Sequence, residues 1–353
     1  MTAMNDEQSS SARGNRSRVR HGNESDQGNE TDQGNQSEQG GRTATNQGEH
    51  GSGGHSRRDS GRDQRHQPPA APEVPAAPQP PAAPEPLPVA VLDSHTHLDL
   101  VTADGGSSPT DQIAAAAAVG VDRLVQVGCD LPSSRWGSEL AAAHPAVLAT
   151  VGIHPNEAPR LAAAGELDEA LRALEALAAA PRVRAVGETG LDTYRTGPEG
   201  APAQETSFRA QIAIAKRYGL ALVIHNREAH ADVLRVLDEE GAPDRVVMHC
   251  FSGDAAYAAE CVRRGYLLSF AGTVTFRNAG PLREAARRCP PEQMLVETDA
   301  PYLTPHPYRG RRNAPYLIPW TVRCLAETTG VALDRLCLAI SAAGERVFGR
   351  WDG

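Results

Sequence analysis

Eight short apolar runs recur through the last three-quarters of this 353-residue chain, separated by segments of helical period. They are PVAVLDSHTH (88–97), RLVQVGC (123–129), VLATVGIHP (147–155), VRAVGETGLD (183–192), LALVIHNR (220–227), RVVMHCFSG (245–253), YLLSFAGTV (266–274) and QMLVETDAPYL (293–303). Each is close to continuously apolar, the pattern of a strand buried on both faces rather than one with a solvent side. The stretches at 109–119, 133–143, 167–180, 202–218, 228–240, 254–264 and 280–288 are rich in Ala, Leu, Arg and Glu, and the chain after 314 has room for one or two more helices. Strands alternating with helices predict β-α-β units and a parallel sheet. Eight such units in about 265 residues fit an α/β fold of the (β/α)8 TIM barrel type, whose usual size is about 250 residues. An open doubly wound sheet is the alternative.

Composition divides the chain near residue 86. Residues 1–86 carry few aliphatic side chains and repeat the hexapeptides GNESDQ, GNETDQ and GNQSEQ. Such a segment cannot bury enough apolar surface to offset its ordering entropy. The reading is a disordered tail over 1–86 and a barrel over 87–353. The stretch 68–88, PPAAPEVPAAPQPPAAPEPLP, is a semi-stiff Pro/Ala spacer. No secretory leader is visible at the start, and no run is long and apolar enough to span a bilayer, so no membrane partner is expected. Six cysteines without a C-x-x-C pair read as reduced packing residues of a cytoplasmic protein. The net charge is −9, and residues 87–353 hold 26 basic against 32 acidic side chains. That balance excludes a basic groove binder. A phosphate partner must be met by local arginines or by metal ions.

The runs end in chemistry. The first closes with His95 and His97, the third with His154, the fourth with Glu188, the fifth with His225, the sixth with His249 and the eighth with Asp299. In a parallel barrel the C-terminal strand ends converge on one face, which carries the active site. Side chains alternate along a strand, so Asp93, His95 and His97 share a side. Four imidazoles and two carboxylates exceed the three protein ligands of a mononuclear catalytic zinc site. The surplus predicts two divalent ions, one on His95, His97 and Asp299, the other on His225 and His249, with Glu188 bridging. The only lysine, Lys216, falls mid-helix and cannot bridge them as a carboxylated lysine. His154 is read as a substrate contact, and His144, His230 and His306 as surface or loop residues. Asp93 is expected to hold a ligand histidine by its second nitrogen, with Asp99, Glu297 and Asp192 as further candidates. Imidazole-rich donors suit Zn2+, Mn2+ or Co2+, whereas Mg2+ prefers oxygen.

The motifs DSHTHLDL, VGIHP, GETGLD, IHNREA, HCFSG, VETDAPYL and RRNAP, in that order over about residues 91–315, resemble the TatD-type metal-dependent deoxyribonucleases of the amidohydrolase superfamily. The resemblance implies a barrel, two divalent cations, magnesium-supported hydrolysis of phosphodiesters in DNA, and metal roles for His95, His97, Glu188, His225, His249 and Asp299. Two positions depart from it. Asn156 follows the His-Pro where the family has an aromatic or imidazole side chain, which bears on substrate contact. Ala343 stands where the family commonly has Asn, which bears on packing of the last helix.

Two ions about 3.5–4 Å apart can activate a water, neutralise phosphoryl oxygens and aid the leaving group. Asp299, with Glu188 beside it in the catalytic set, is the expected general base. Arg227, two residues past His225, is the first choice for phosphate contact. Arg309, Arg311 and Arg312 in the loop after the eighth run are further candidates, since a forked guanidinium matches phosphate geometry. Ser252 and the Gly253 backbone are placed on the same group. The predicted substrate is DNA, as single strands or 3′ ends. The alternative keeps the machinery and cleaves a C–N, lactone or phosphotriester bond of a small molecule; the missing bridging lysine and the arginine-rich last loop count against it.

Overall fold

The computed structural model describes residues 80–103 and 107–351. The hexapeptide repeats and most of the Pro/Ala spacer lie outside the described residues. Eight strands form one sheet in the order β1 to β8, every neighbouring pair parallel. They are β1 (Val91–Thr96), β2 (Val121–Gln126), β3 (Val147–Val151), β4 (Val183–Asp192), β5 (Ala221–Arg227), β6 (Val246–Met248), β7 (Leu267–Phe270) and β8 (Met294–Val296). The sheet curls until its last edge meets its first. Past β8, the Asp299 N–H donates to the His95 carbonyl at 2.9 Å, and the His97 N–H donates to the Ala300 carbonyl at 2.9 Å. These bonds complete a (β/α)8 barrel and rule out the open sheet.

Helices alternate with the strands: α1 (Leu98–Ala103), α2 (Pro109–Ala117), α3 (Leu131–Ala143), α4 (Ala158–Ala164), α5 (Leu167–Ala178), α6 (Ala201–Tyr218), α7 (His230–Glu240), α8 (Ala255–Arg263), α9 (Gly280–Arg288), α10 (Ile318–Thr329) and α11 (Leu333–Phe348). Their buried faces carry Leu174, Phe208, Ile212, Val236, Ile340 and Phe348, packed around strand residues such as Leu92, Leu148, Leu222 and Ile224. Ala343 is buried in α11. Its neighbour Gly344 lies so close to Leu92 of β1 that an added Cβ would meet that side chain at 2.6 Å. Among the described residues no helix is long and apolar enough to cross a membrane.

Three local features differ from the sequence pattern. β6 and β8 are three residues long, although their apolar runs continue; Cys250 and Asp299 take positive φ (43° and 55°) and end the extended backbone. Helices α1 and α4 occupy the loops after β1 and β3. The end of the Pro/Ala spacer is packed: Pro81, Pro84 and Leu87 are buried while the residues between them are exposed, the three-residue period of a polyproline II strand. The Tyr316 hydroxyl donates to the Pro81 carbonyl at 2.7 Å, Arg323 donates to the Pro86 carbonyl at 3.2 Å, and the Leu87 N–H donates to the Val119 carbonyl at 3.0 Å.

Candidate metal centre

The strand ends bring their ligand-type side chains into one pocket. His95 and His97 face each other through Nε2 atoms 3.2 Å apart. His97 Nδ1 lies 3.3 Å from the Val127 carbonyl. A carbonyl only accepts, so the proton sits on Nδ1 and the lone pair is left on Nε2. Asp299 Oδ1 lies 3.6 Å from His95 Nε2 and 3.4 Å from His97 Nε2. These three residues could hold a metal ion between them.

Glu188 reaches the centre through an irregularity in β4. Val186 pairs with Leu222 and Thr189 with Ile224, so Gly187 and Glu188 stand opposite Val223 alone. That is a bulge, and a bulge re-aims a side chain. The glycines of GETG make it possible. Gly187 (φ 143°) and Gly190 (φ 136°) adopt backbone that L side chains rarely take, and a Cβ on either would overlap the backbone of β5. The carboxylate ends up shared. Its Oε2 lies 3.5 Å from His95 Nε2, while Oε1 lies 2.7 Å from His225 Nδ1, 3.3 Å from His249 Nε2 and 3.4 Å from His154 Nε2.

Outer carboxylates lie against two of the imidazoles. Glu297 Oε1 lies 2.9 Å from His249 Nδ1 and accepts the Cys250 N–H at 2.9 Å. Asp192 Oδ2 lies 3.1 Å from His225 Nε2, and Asp192 itself accepts from Asn156 Nδ2 at 3.1 Å and from the N–H groups of Tyr194 and Arg195. Asn156 therefore acts on the centre through Asp192. Asp93, the first candidate for such a role, touches no imidazole. It accepts the Thr298 N–H at 2.9 Å, the Thr298 hydroxyl at 2.5 Å and the His95 N–H at 3.2 Å, tying the exit of β8 to β1. Burial pushes its carboxyl up to about 8. Asp99 likewise accepts from Gln126 rather than from a histidine.

Charge in the cluster is mutually compensated. Burial raises Glu188, but His249 and His154 outweigh it and hold the carboxyl well below its usual range. Burial also raises Asp299, and His97 and His249 more than offset it. His249 would be lowered by burial; Glu297 and Glu188 drive it well above an ordinary imidazole. Carboxylates kept ionised at the price of protonated imidazoles are a site whose protons divalent cations can replace. The donor set fits such ions: nitrogens with directed lone pairs, two anionic carboxylates, and separations of 3.2–3.6 Å suited to donors about 2.0–2.2 Å from a shared centre.

Comparison with known proteins points the same way. The model of the TatD-related DNase family matches residues 92–349. The chain belongs to this family. A Mycobacterium tuberculosis protein named uncharacterized metal-dependent hydrolase TatD is 48% identical over 263 residues, covering 73% of this chain and 98% of that protein. A Citrobacter rodentium protein named 3′-5′ ssDNA/RNA exonuclease TatD is 36% identical over 247 residues, covering 67% and 90%. The crystal structure of YJJV, a TatD homolog from Escherichia coli, superposes with a TM-score of 0.67 at 26% identity, covering 74% of this chain and 98% of that one.

Around the centre of this TatD-family chain the other site residues separate. His154 Nδ1 accepts the Asn156 N–H at 3.0 Å, so its proton is on Nε2, the atom nearest Glu188. That tautomer makes it a donor into the pocket; with Nε2 deprotonated it would belong to a possible ligand group with Glu188 and His225. The Arg227 guanidinium lies 3.9 Å over the Tyr194 ring. Arg309 is exposed and lies 4.7 Å over Phe276. Arg311 is exposed, and Arg312 is half-buried and donates to the Val101 carbonyl at 3.3 Å. Ser252 is exposed, its hydroxyl 3.5 Å from the Asn226 carbonyl. His230 is half-buried and stacks on Tyr257 at 4.2 Å, which is not a surface position. Sequence reasoning passed over two cysteines. Cys129 forms a possible ligand group with His97 and Glu188, and Cys250 another with His249 and Asp299. The signal for Cys129 was its place at the end of the second run, where most of the other runs carry a metal-capable side chain.

Proposed function

We propose that the chain hydrolyses phosphodiester bonds in DNA with two divalent ions, Mg2+, Mn2+ or Zn2+, acting on single strands or 3′ ends in the cytoplasm. The observation that carries this reading is the division of Glu188. One oxygen faces His95, and the other faces His225 and His249, as a carboxylate between two ions requires. The family description and the exonuclease name of the Citrobacter relative support DNA as the substrate class. Six free cysteines among the described residues support a reducing compartment.

Bound ions supply charge neutralisation and an acidified water. The chain's own groups do the rest. Asp299 stays ionised beside His97 and His249, so it can orient the attacking water and take its proton. The His154 Nε2 proton is placed to be donated to a phosphoryl or leaving oxygen. Arg227, whose guanidinium lies 3.9 Å over the Tyr194 ring, meets the substrate phosphate with its forked donors.

The test is product analysis on 3′- and 5′-labelled single-stranded DNA. The expected result is stepwise loss from the 3′ end, abolished by chelator and restored by Mn2+ or Mg2+. Glu188→Gln should lower kcat/KM by more than about 100-fold, beyond what loss of a group outside the ligand set costs. Turnover of small esters or amides with intact oligonucleotides would overturn the proposal.

A further inference from the structure

Cys129 follows β2, which, like β3 and β7, has no member in the six-residue ligand set or among its outer carboxylates. A packing cysteine sits among aliphatic groups. This one is half-buried, its Sγ 3.6 Å from Glu188 Oε2, and it forms a close donor group with Glu188 and His97. Its backbone is held from both sides. The Cys129 N–H donates to Ser133 Oγ at 3.0 Å, the Cys129 carbonyl accepts the His154 N–H at 2.8 Å, and the preceding carbonyl, Gly128, accepts the Glu188 N–H at 3.0 Å. The sulfur is thus positioned by β3 and β4, which also carry His154 and Glu188. The spacing has a meaning. A metal–sulfur bond of about 2.3 Å and a metal–oxygen bond of about 2.1 Å meeting at a tetrahedral angle put S and O roughly 3.6 Å apart.

The geometry points to Cys129 as a thiolate ligand of the ion held by His95, His97 and Asp299, and to a thiophilic ion of the Zn2+ or Co2+ class in that position. On binding, the Cys129 S–H bond breaks, its proton passes to buffer, and the sulfur lone pair joins the ion beside Glu188 Oε2. A hard ion such as Mg2+ gains little from sulfur, so the thiol shifts selectivity within a centre otherwise built of nitrogen and oxygen. This inference rests on the centre being a metal site, and its test separates the two.

The test is a Co2+ titration of the metal-stripped full-length chain. Visible d–d absorption reports that cobalt is bound; a near-ultraviolet sulfur-to-cobalt charge-transfer band reports that sulfur is a ligand. Both should appear in the wild-type chain. Cys129→Ser should keep the visible absorption and lose the charge-transfer band, whereas Cys250→Ser should keep both. Visible absorption without the charge-transfer band in the wild type overturns the Cys129 assignment alone, as does a band that survives Cys129→Ser or vanishes only in Cys250→Ser. Absence of any cobalt absorption defeats the metal centre as well. A second measurement needs no variant. Alkylation of Cys129 by iodoacetamide, mapped by mass spectrometry on the wild-type chain, should slow at least about tenfold with Zn2+ bound, and an unchanged rate overturns the assignment.

Discussion

Glu297 is fully buried beside His249, where it bears on how well that imidazole can hold a cation. Its Oε1 lies 2.9 Å from His249 Nδ1 and accepts the Cys250 N–H. With a carboxylate at Nδ1, the imidazole keeps its proton there and offers Nε2 to the centre. Glutamine fills the same space but loses the charge and can present an N–H to Nδ1, moving the ring proton to Nε2. Glu297→Gln should therefore weaken Mn2+ binding by roughly 10–100-fold in a calorimetric titration, with circular dichroism unchanged; wild-type affinity would show that the contact does not orient the ring. The sequence named Glu297 and Asp192 as candidates for this role but put Asp93 ahead of them, and that ordering is where reading residue by residue reaches its limit. The metal-capable side chains stood out because each has a ligand's chemistry and each closes an apolar run. Among the acidic residues nearby, nothing in the pattern says which ones reach an imidazole. Asp93 shares a strand and a side with His95, but its acceptors are filled by Thr298, 205 positions away, a contact that spacing cannot foretell. Cys129 looks like a packing residue until Glu188 and His97 are found beside it.

At the scale of elements, the runs identified eight strands in order because burial on both faces leaves a continuous apolar signature. The same signature misjudged β6 and β8, since it reports burial rather than extension: Phe251 and Ala300 are buried beyond the ends of those strands. It could not show the β4 bulge, which depends on how two strands meet. The bulge makes a prediction that distinguishes steric overlap from backbone strain alone. At Gly190 a Cβ would overlap the His225 carbonyl of β5, and φ is 136°. At Gly165, which caps α4, φ is 72° and nothing lies within 4 Å. Gly165→Ala should cost only the left-handed backbone penalty, about 1–2 kcal/mol. Gly190→Ala must also push β5 from β4. It should cost more than about 3 kcal/mol by urea unfolding and displace His225 enough to weaken metal binding, which Gly165→Ala leaves intact. Equal losses at the two sites would mean that β4 and β5 are not packed as tightly as their backbones indicate.

For the molecule as a whole, composition put the start of the barrel at residue 87, and among the described residues Pro81 and Pro84 before that point are already buried. Proline enters such a strap at low entropic cost because its φ is already fixed, so modest contacts suffice to hold it. Pro81 and Pro84 are buried, Leu87 is 7% exposed, and Tyr316 and Arg323 donate to the strap's carbonyls. Leu87 seats against Val119 and Gly120, at the entrance to β2. That is the face opposite the strand ends that carry the metal centre, and contacts there serve stability rather than chemistry. A chain starting at Pro80 should accordingly outlast one starting at Pro88. Losing the buried Leu87 side chain removes about 1.5–3 kcal/mol, which at this size corresponds to a drop in Tm of roughly 3–12 °C by calorimetry. Metal binding and hydrolysis measured well below the transition should be the same in both forms. Equal melting temperatures would show that the strap rests on the barrel without holding it, and a loss of metal affinity on truncation would show that the two faces are coupled through β1 and β2.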